Sequence, residues 1–396
     1  MLKIRTINEI ARCGLEELPP EKFSVSETES NPDGILMRSF ELPPKELTSG
    51  LLAIARAGAN VNNIPIENCA EKGIVVFNTP GANANAVKEL VLAGLFLSSR
   101  NVVGSINWIS SLSGQNEITK LEITKPEITK LIDKNHSKFA GPEVAGKTLG
   151  VVGLGAIGVL VANACRHLGM RVYGYDPYIS VDAAWNLSRG VREAPDLDSL
   201  LSECDYLSIH VPSNMETIGM FNSDVFAKCK RGVRLLNFSH AEIVCNADLK
   251  EAIKNGVISW YVTDFPTSDL LNCDKITTFP NLGAATPESR ENCATMAAAQ
   301  LREYLLYGNI KNSVNFPNCE IPYIGKKRIC VIHRNVARVV GPITGLFADR
   351  SINIDNMLNR NGGEYAYTML DIDSAPIDGI EAELLNLANI IKVRVI

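Results

Sequence analysis

The sequence predicts an α/β protein of parallel-sheet units followed by a small antiparallel unit, and three observations carry that expectation. Residues 1 to about 100 alternate short apolar runs with helical patterns, the signature of parallel strands joined by crossover helices. A second strand–helix series opens at Lys147 on a glycine-rich turn. Residues 328–396 read strand, helix, strand, strand, helix, strand, the order of a ferredoxin-like split unit.

In the first series, residues 34–37 (GILM), 51–55 (LLAIA) and 74–77 (IVVF) are expected as strands. Helices are expected near 44–49, 66–72 and 86–99. The stretch EITKLEITKPEITK, residues 117–130, repeats EITK every five residues. Three copies are too short for a solenoid and Pro126 should interrupt any long helix, so a solvated insertion is expected, a hinge or lid segment between two α/β units. The second series runs TLGVVGLGAIG, MRVYGYDP, YLSIHVP, RLLNFSH and WYVTDFP. Prolines and a basic end mark residues 315–327 as a connecting stretch, with the linker itself at 319–327. RICVIHRN, INIDNMLN, EYAYTMLDID and IIKVRVI supply the last four strands, with helices at GPITGLFADR and near 379–388.

Composition bounds the function. A chain of 396 residues holds two or three domains, and 46% hydrophobic with 21% charged residues describes a folded, water-facing protein. The net charge of −5 gives no reason to expect nucleic acid as a partner. No apolar run reaches the roughly 18–20 residues of a membrane span, and the amino terminus lacks a secretory signal's apolar core. Ten cysteines without CxxC pairs or zinc-type spacing imply free thiols in a reducing cytoplasm and no metal site.

Val151-Val152-Gly153-Leu154-Gly155-Ala156-Ile157-Gly158 is GxGxxG between an apolar strand and a helix. Asp176 ends the next strand at about the expected 20-residue distance. Gly153, Gly155 and Gly158 permit a tight turn and close approach of a pyrophosphate to the helix start at Ala156 and Ile157. Asp176 would accept hydrogen bonds from ribose hydroxyls and repel a 2′-phosphate, which favours NAD over NADP.

The stretches ARAGANVNNIPIENCAEKGIVVFNTPGANANAVKEL (55–90), GKTLGVVGLGAIG, GYDPYIS, FPNLGAATPESRENCA and IKNSVNFP, with the carboxyl-terminal unit, resemble the D-2-hydroxyacid dehydrogenases, and within them the phosphoglycerate branch, over nearly the full length. The resemblance implies a flavodoxin-like substrate domain of residues 1–98 and 296–318 around an inserted Rossmann domain of 99–295. A ferredoxin-like ACT domain at 328–396 would follow. It further implies a homo-oligomer of serine biosynthesis, serine as effector, and Pro212, Thr217 and Asp264 as further cofactor contacts. Arg56 with the backbone of Ala57 and Gly58 would hold a substrate carboxylate or phosphate. Asn60 replaces a family glycine, which an Asn at positive φ tolerates. Lys138 is a second cation for phosphate, or a solvated lysine. His333, Asn335 and Asn353 match the family's serine-binding positions, or cap local structure.

Residue by residue, the sequence departs from the family where its chemistry lies. His240 stands in place of the arginine that clamps the carboxylate, Ser268 in place of the orienting glutamate, and Asn281 in place of the proton-accepting histidine. One expectation is a protein that binds NAD(H) and serine with little or no turnover, regulating by itself or by co-assembly with an active paralogue. The other is an active dehydrogenase on 3-phosphoglycerate or another 2-hydroxy acid. There His240 would be a relocated acid/base oriented by Asp269, or by Glu242 if the segment stays extended.

Overall fold

The computed structural model describes residues 1–114, 125–271, 273–373 and 377–396, with side chains at 112–114 and 125–128 outside the description. The chain forms two compact units, Met1–Asn83 with Pro287–Ile396, and Ala84–Thr286.

The first unit opens with a parallel sheet of β1 (Leu2–Ile7), β2 (Phe23–Ser26), β3 (Gly34–Met37), β4 (Ala53–Arg56) and β5 (Val75–Phe77), in the order β2-β1-β3-β4-β5. That is the flavodoxin-like order. β1 and β2 were not among the sequence-based strands, because β1 mixes Lys3, Arg5 and Thr6 among its apolar residues and β2 is short and largely polar. β3 and β5 are buried throughout, as continuous apolar runs in a covered parallel sheet should be.

The second unit carries β6 (Thr148–Val152), β7 (Arg171–Tyr175), β8 (Val191–Glu193), β9 (Tyr206–Ile209), β10 (Val233–Asn237), β11 (Ile258–Thr263) and β12 (Ile276–Thr278). All are parallel, in the order β12-β11-β10-β9-β6-β7-β8, so the winding reverses between β6 and β9. A doubly wound sheet opens its ligand crevice at that reversal, outside the strands' carboxyl ends. Within the EITK repeat, residues 117–124 lie outside the described residues. The last copy lies in the helix Lys125–Asn135, which takes Pro126 into its first turn, where a missing N–H leaves no helical bond unmade.

The carboxyl-terminal strands β13 (Lys327–Arg334), β14 (Ile354–Gly362), β15 (Tyr365–Ile372) and β16 (Ile390–Val395) pair antiparallel in the order β14-β15-β13-β16, the ferredoxin-like arrangement. One face packs on the helices Val340–Asp349 and Ile380–Leu385 through Val331, Ile343, Phe347 and Leu384. The other face, through Cys330, Ile332, Tyr367 and Met369, joins the core under the helix Pro287–Tyr307.

Arginines secure that junction. Arg328 is fully buried, and each of its five N–H groups has an acceptor. Nε and Nη2 grip Asp371 at 2.6 and 3.0 Å, while the carbonyls of Tyr307, Ile321 and Pro322 take the rest. The expected linker is thus tied at Ile321 and Pro322 to the strand it leads into. Arg394 donates to the carbonyls of Tyr304 and Leu305 and lies 4.7 Å from the Tyr304 ring centroid, placing a cation at the helix's carboxyl end. The helix stops at Gly308, whose φ of 73° suits glycine and whose Cβ would meet the Cys330 sulfur at 2.5 Å.

Two predictions follow from these buried cations. Arg328→Met leaves Asp371 as an unpaired buried carboxylate and should destabilise this unit by about 3–5 kcal/mol, with Arg328→Met/Asp371→Leu recovering part, measured by urea unfolding. Lys392 donates to the Leu51 carbonyl at 2.7 Å, and burial, with Arg394 nearby, pushes its pKa down to about 8. Between that value and an unfolded lysine's roughly 10.4 the unfolded chain binds more protons, so stability should rise with pH across this window. The gain should disappear as pH falls through 8. Subtracting the unfolding midpoints of Lys392→Met from those of the parent chain isolates this slope.

Candidate cofactor crevice and active-site edge

At the reversal point, β6 is wholly buried and delivers Gly153 beside the end of β9, where the His210 N–H donates to the Val152 carbonyl at 2.7 Å. Gly153 has φ 92°, and a Cβ there would lie 2.7 Å from the His210 carbonyl. A Cβ on Gly158 would strike the Gly153 carbonyl oxygen at 2.0 Å, so this glycine lets the helix Ala156–His167 close onto the turn. Gly155 differs, because nothing stands within 4 Å of where its Cβ would be. It caps the helix with no side-chain hydrogen bond, at the point where a helix leaves its first N–H groups, here of Ala156, Ile157 and Gly158, without helical partners. That is the cradle a pyrophosphate fits.

Asp176 stands at the end of β7 and organises the turn: Oδ2 accepts from the Leu154 N–H at 2.8 Å and Oδ1 from the Tyr178 N–H at 2.9 Å. Each oxygen keeps a further lone pair for a ribose hydroxyl. Across the crevice the loop after β9 is closed by Thr217, whose hydroxyl donates to the Pro212 carbonyl. Sequence reasoning missed His210. Its Nε2 shares a hydrogen bond with Ser208 at 2.8 Å, and Nδ1 is enclosed with no partner. Burial pushes its pKa down to about 3, so it is a neutral group at the crevice. The signal was a histidine ending the strand YLSIH.

The three positions at which a departure from the family is expected lie on loops after neighbouring strands: His240 after β10, Ser268 after β11, Asn281 after β12. All three side chains are exposed. His240 is extended, its carbonyl accepts from Asn237 Nδ2 at 2.8 Å, and its ring stacks parallel to Phe265 at 6.4 Å. Residues Ala241–Ile243 form a 3-10 turn, so Glu242 does not share an extended face with His240 as expected. Asp269 is also engaged elsewhere. It accepts from Thr267 at 2.6 Å and pairs with Lys250 at 2.9 Å, and those hydrogen bonds hold its carboxyl down at about 2. Asp264, nearly fully buried, accepts from the N–H groups of Leu282 and Gly283 at 2.7 Å each. This clamp holds Asn281 at φ 56°, a conformation asparagine tolerates.

In the first unit Arg56 ends β4, its Nε enclosed without a partner. Its guanidinium fills the space a Cβ on Gly58 would need, with Nη1 at 2.3 Å from that point. Burial and the neighbouring Arg38 lower its pKa. The expected bare N–H groups are not free: Ala57 donates to Met37 and Gly58 to the Arg56 carbonyl. Asn60 does not take positive φ either; its side chain accepts from Asn62 N–H in an Asx turn. Arg38, Arg290, Glu9 and Ala57 line a cavity of about 110 Å³, and sequence reasoning missed both of these arginines. Lys138 belongs to the other unit, exposed in a 3-10 turn.

In the ferredoxin-like part His333 is buried, with Nδ1 on the Arg334 carbonyl and Nε2 between Thr368 and Asn359. Asn335 donates to the Gly363 carbonyl and Asn353 to Asp355. No hydrogen bond joins the three to one another among the described residues. Among those residues no group of three or more His, Cys, Asp or Glu could hold a metal, and no single helix is long and apolar enough to cross a membrane.

A family model described as D-isomer specific 2-hydroxyacid dehydrogenase, NAD binding domain, matches residues 120–287. A putative D-3-phosphoglycerate dehydrogenase of Schizosaccharomyces pombe is 30% identical over 85% of this chain and 72% of its own. The D-3-phosphoglycerate dehydrogenases of Methanocaldococcus jannaschii and Archaeoglobus fulgidus are 30% and 32% identical, but the chain spans only 63% and 49% of their lengths. An NAD+-bound 3-phosphoglycerate dehydrogenase from Entamoeba histolytica shares the fold with TM-score 0.59 at 25% identity, covering 79% of this chain and 98% of that one. The chain belongs to the D-2-hydroxyacid dehydrogenase family. Within it the chain is phosphoglycerate dehydrogenase-like, and NAD is its cofactor.

Gly153→Ala should weaken NADH binding by at least about tenfold, since a left-handed alanine alone costs about 1–2 kcal/mol before the clash with His210. Quenching of protein fluorescence on NADH titration measures it.

Proposed function

We propose that this chain binds NAD(H) and a phosphorylated or hydroxy-acid ligand but is severely impaired in hydride transfer, acting as a regulatory member of the phosphoglycerate dehydrogenase group. The observation that supports the reading is the turn at Asn281, held in place by Asp264. The sequence resemblance assigns that turn to the family's proton-accepting histidine, and with asparagine there it would carry no base. A missing general base lowers the rate by roughly 10²–10⁴-fold, because a carboxamide has no proton to exchange near neutrality. His240 at the arginine position offers no bidentate fork to a carboxylate. A relocated mechanism needs an acid to orient His240, and Asp269 is held by Lys250 and Thr267 instead.

Residues 1–98 and 296–318 are assigned as the substrate domain, 99–295 as the NAD domain and 328–396 as an ACT-type regulatory domain. Arg56, enclosed and without a carboxylate partner, is assigned to the ligand's anionic group, supported by Arg38. Serine as effector at His333, Asn335 and Asn353 is the weaker part of the assignment, since the imidazole's hydrogen bonds are already made within the sheet. Assembly as a homo-oligomer, or with an active paralogue, would let ligand binding here act on catalysis elsewhere.

The test is a titration of NADH, 3-phosphoglycerate and serine alongside a turnover assay. NADH should bind, and Arg56→Ser should weaken 3-phosphoglycerate binding by roughly tenfold or more, the loss of a charge-assisted pair. NADH production from 3-phosphoglycerate should fall at least about 10²-fold below that of an intact relative. Turnover at a relative's rate, abolished by His240→Ala, would establish the active dehydrogenase instead.

A further inference from the structure

The amino-terminal edge of the seven-stranded sheet lies at the opposite ends of the strands from the cofactor crevice. There Arg166, Arg171, Arg189 and Arg192 line a cavity of about 230 Å³ together with Tyr173 and Gly190. No acidic residue lines it, and none of the four arginines makes an ion pair among the described residues. In a chain of net charge −5, these four guanidinium groups, exposed to water and without an ion-pair partner among the described residues, gather positive charge around one hollow. By contrast the neighbouring basic cavity at Lys147, Lys230 and Arg231 contains Asp205, which pairs with Lys230 at 2.7 Å.

The local fold positions these groups. Tyr173 pairs directly opposite Arg192 across β7 and β8, and the two-residue period places Arg171 on the same face as Tyr173. Arg166, in the last turn of the helix Ala156–His167, is fixed by its bond to the Met170 carbonyl at 3.2 Å. Its guanidinium lies where a Cβ on Gly190 would be, with Nε at 2.4 Å from that point. Glycine at 190 therefore makes room for one wall of the cavity.

We infer that this four-arginine cavity binds a small anion carrying two or more adjacent phosphoryl groups, at a site separate from the dinucleotide crevice. Guanidinium forks match phosphoryl oxygens in pairs, and a single phosphoryl group leaves part of a fourfold positive charge unanswered. The volume falls below the roughly 300–1,000 Å³ of pockets that enclose larger organic ligands, which favours a compact charged group over a bulky one. The inference is independent of whether the active-site edge turns over.

The full chain saturated with NADH, so that the crevice is filled, is titrated calorimetrically with inorganic tripolyphosphate at physiological ionic strength. One equivalent per chain should bind. Arg171→Ser/Arg192→Ser should weaken binding at least tenfold while the NADH titration and thermal midpoint stay unchanged, and Lys147→Ser should have no effect. ATP in place of tripolyphosphate separates the sources: equal affinity assigns the site to the phosphate chain alone, and tighter binding to a nucleotide that also uses Tyr173. Absence of saturable binding overturns the proposal, as does undiminished binding by the double variant or an equal loss in Lys147→Ser.

Discussion

In a parallel sheet every strand ends on the same edge, and every connecting helix begins there. The rest of the nucleotide unit depends on that constraint. The carboxyl edge collects helix amino ends, with their unpaired N–H groups, and the loops after β6, β9, β10, β11 and β12. Gly153, Asp176, His210, His240, Ser268 and Asn281 all stand on it. The opposite edge collects helix carboxyl ends and so accommodates cations, among them Arg166, Lys228 and Lys254 in last turns. One topology thereby makes two anion-attracting edges by different means, bare N–H groups on one and guanidinium groups on the other.

The active-site edge separates backbone from chemistry. Asp264 receives two backbone N–H groups, and Asn237 holds the His240 carbonyl, so the turns are set by buried groups that do not themselves react. The side chains those turns display are exposed, and substitution there leaves the fold's own hydrogen bonds intact. The cofactor crevice obeys the opposite rule, since Gly153 and Gly158 are required by contacts of 2.7 and 2.0 Å that any side chain would violate.

The first unit contrasts two kinds of arginine with enclosed nitrogen atoms. Arg328 has all five donors answered and Arg394 caps a helix, so both serve the packing of the ferredoxin-like sheet. Arg56 has an enclosed Nε with nothing to bind and a like charge nearby. Leaving a buried donor unanswered costs about 1–3 kcal/mol, a cost carried at Arg56 Nε and avoided at Arg328.

Periodicity and turn chemistry by themselves determined most of this protein: the GxGxxG strand–turn–helix, the alternating α/β series and the βαββαβ close are local patterns, and local sterics enforce them. The motifs around His240, Ser268 and Asn281 are local in the same way, and the loops that carry His240 and Ser268 follow the strands the sequence placed before them. The polar strands β1 and β2 were not legible in the sequence, since their pairing partners lie outside their own sequence windows. Nor were the 3-10 turn that takes Glu242 away from His240, the capture of Asp269 by Lys250, or the occupied N–H groups of Ala57 and Gly58. Arg38, Arg290, His210 and the arginine cavity likewise emerged only from the fold. Tertiary structure decided all of these for one physical reason: a hydrogen bond or an unpaired charge is a property of two groups brought together in space, and a sequence names each group without naming its neighbour.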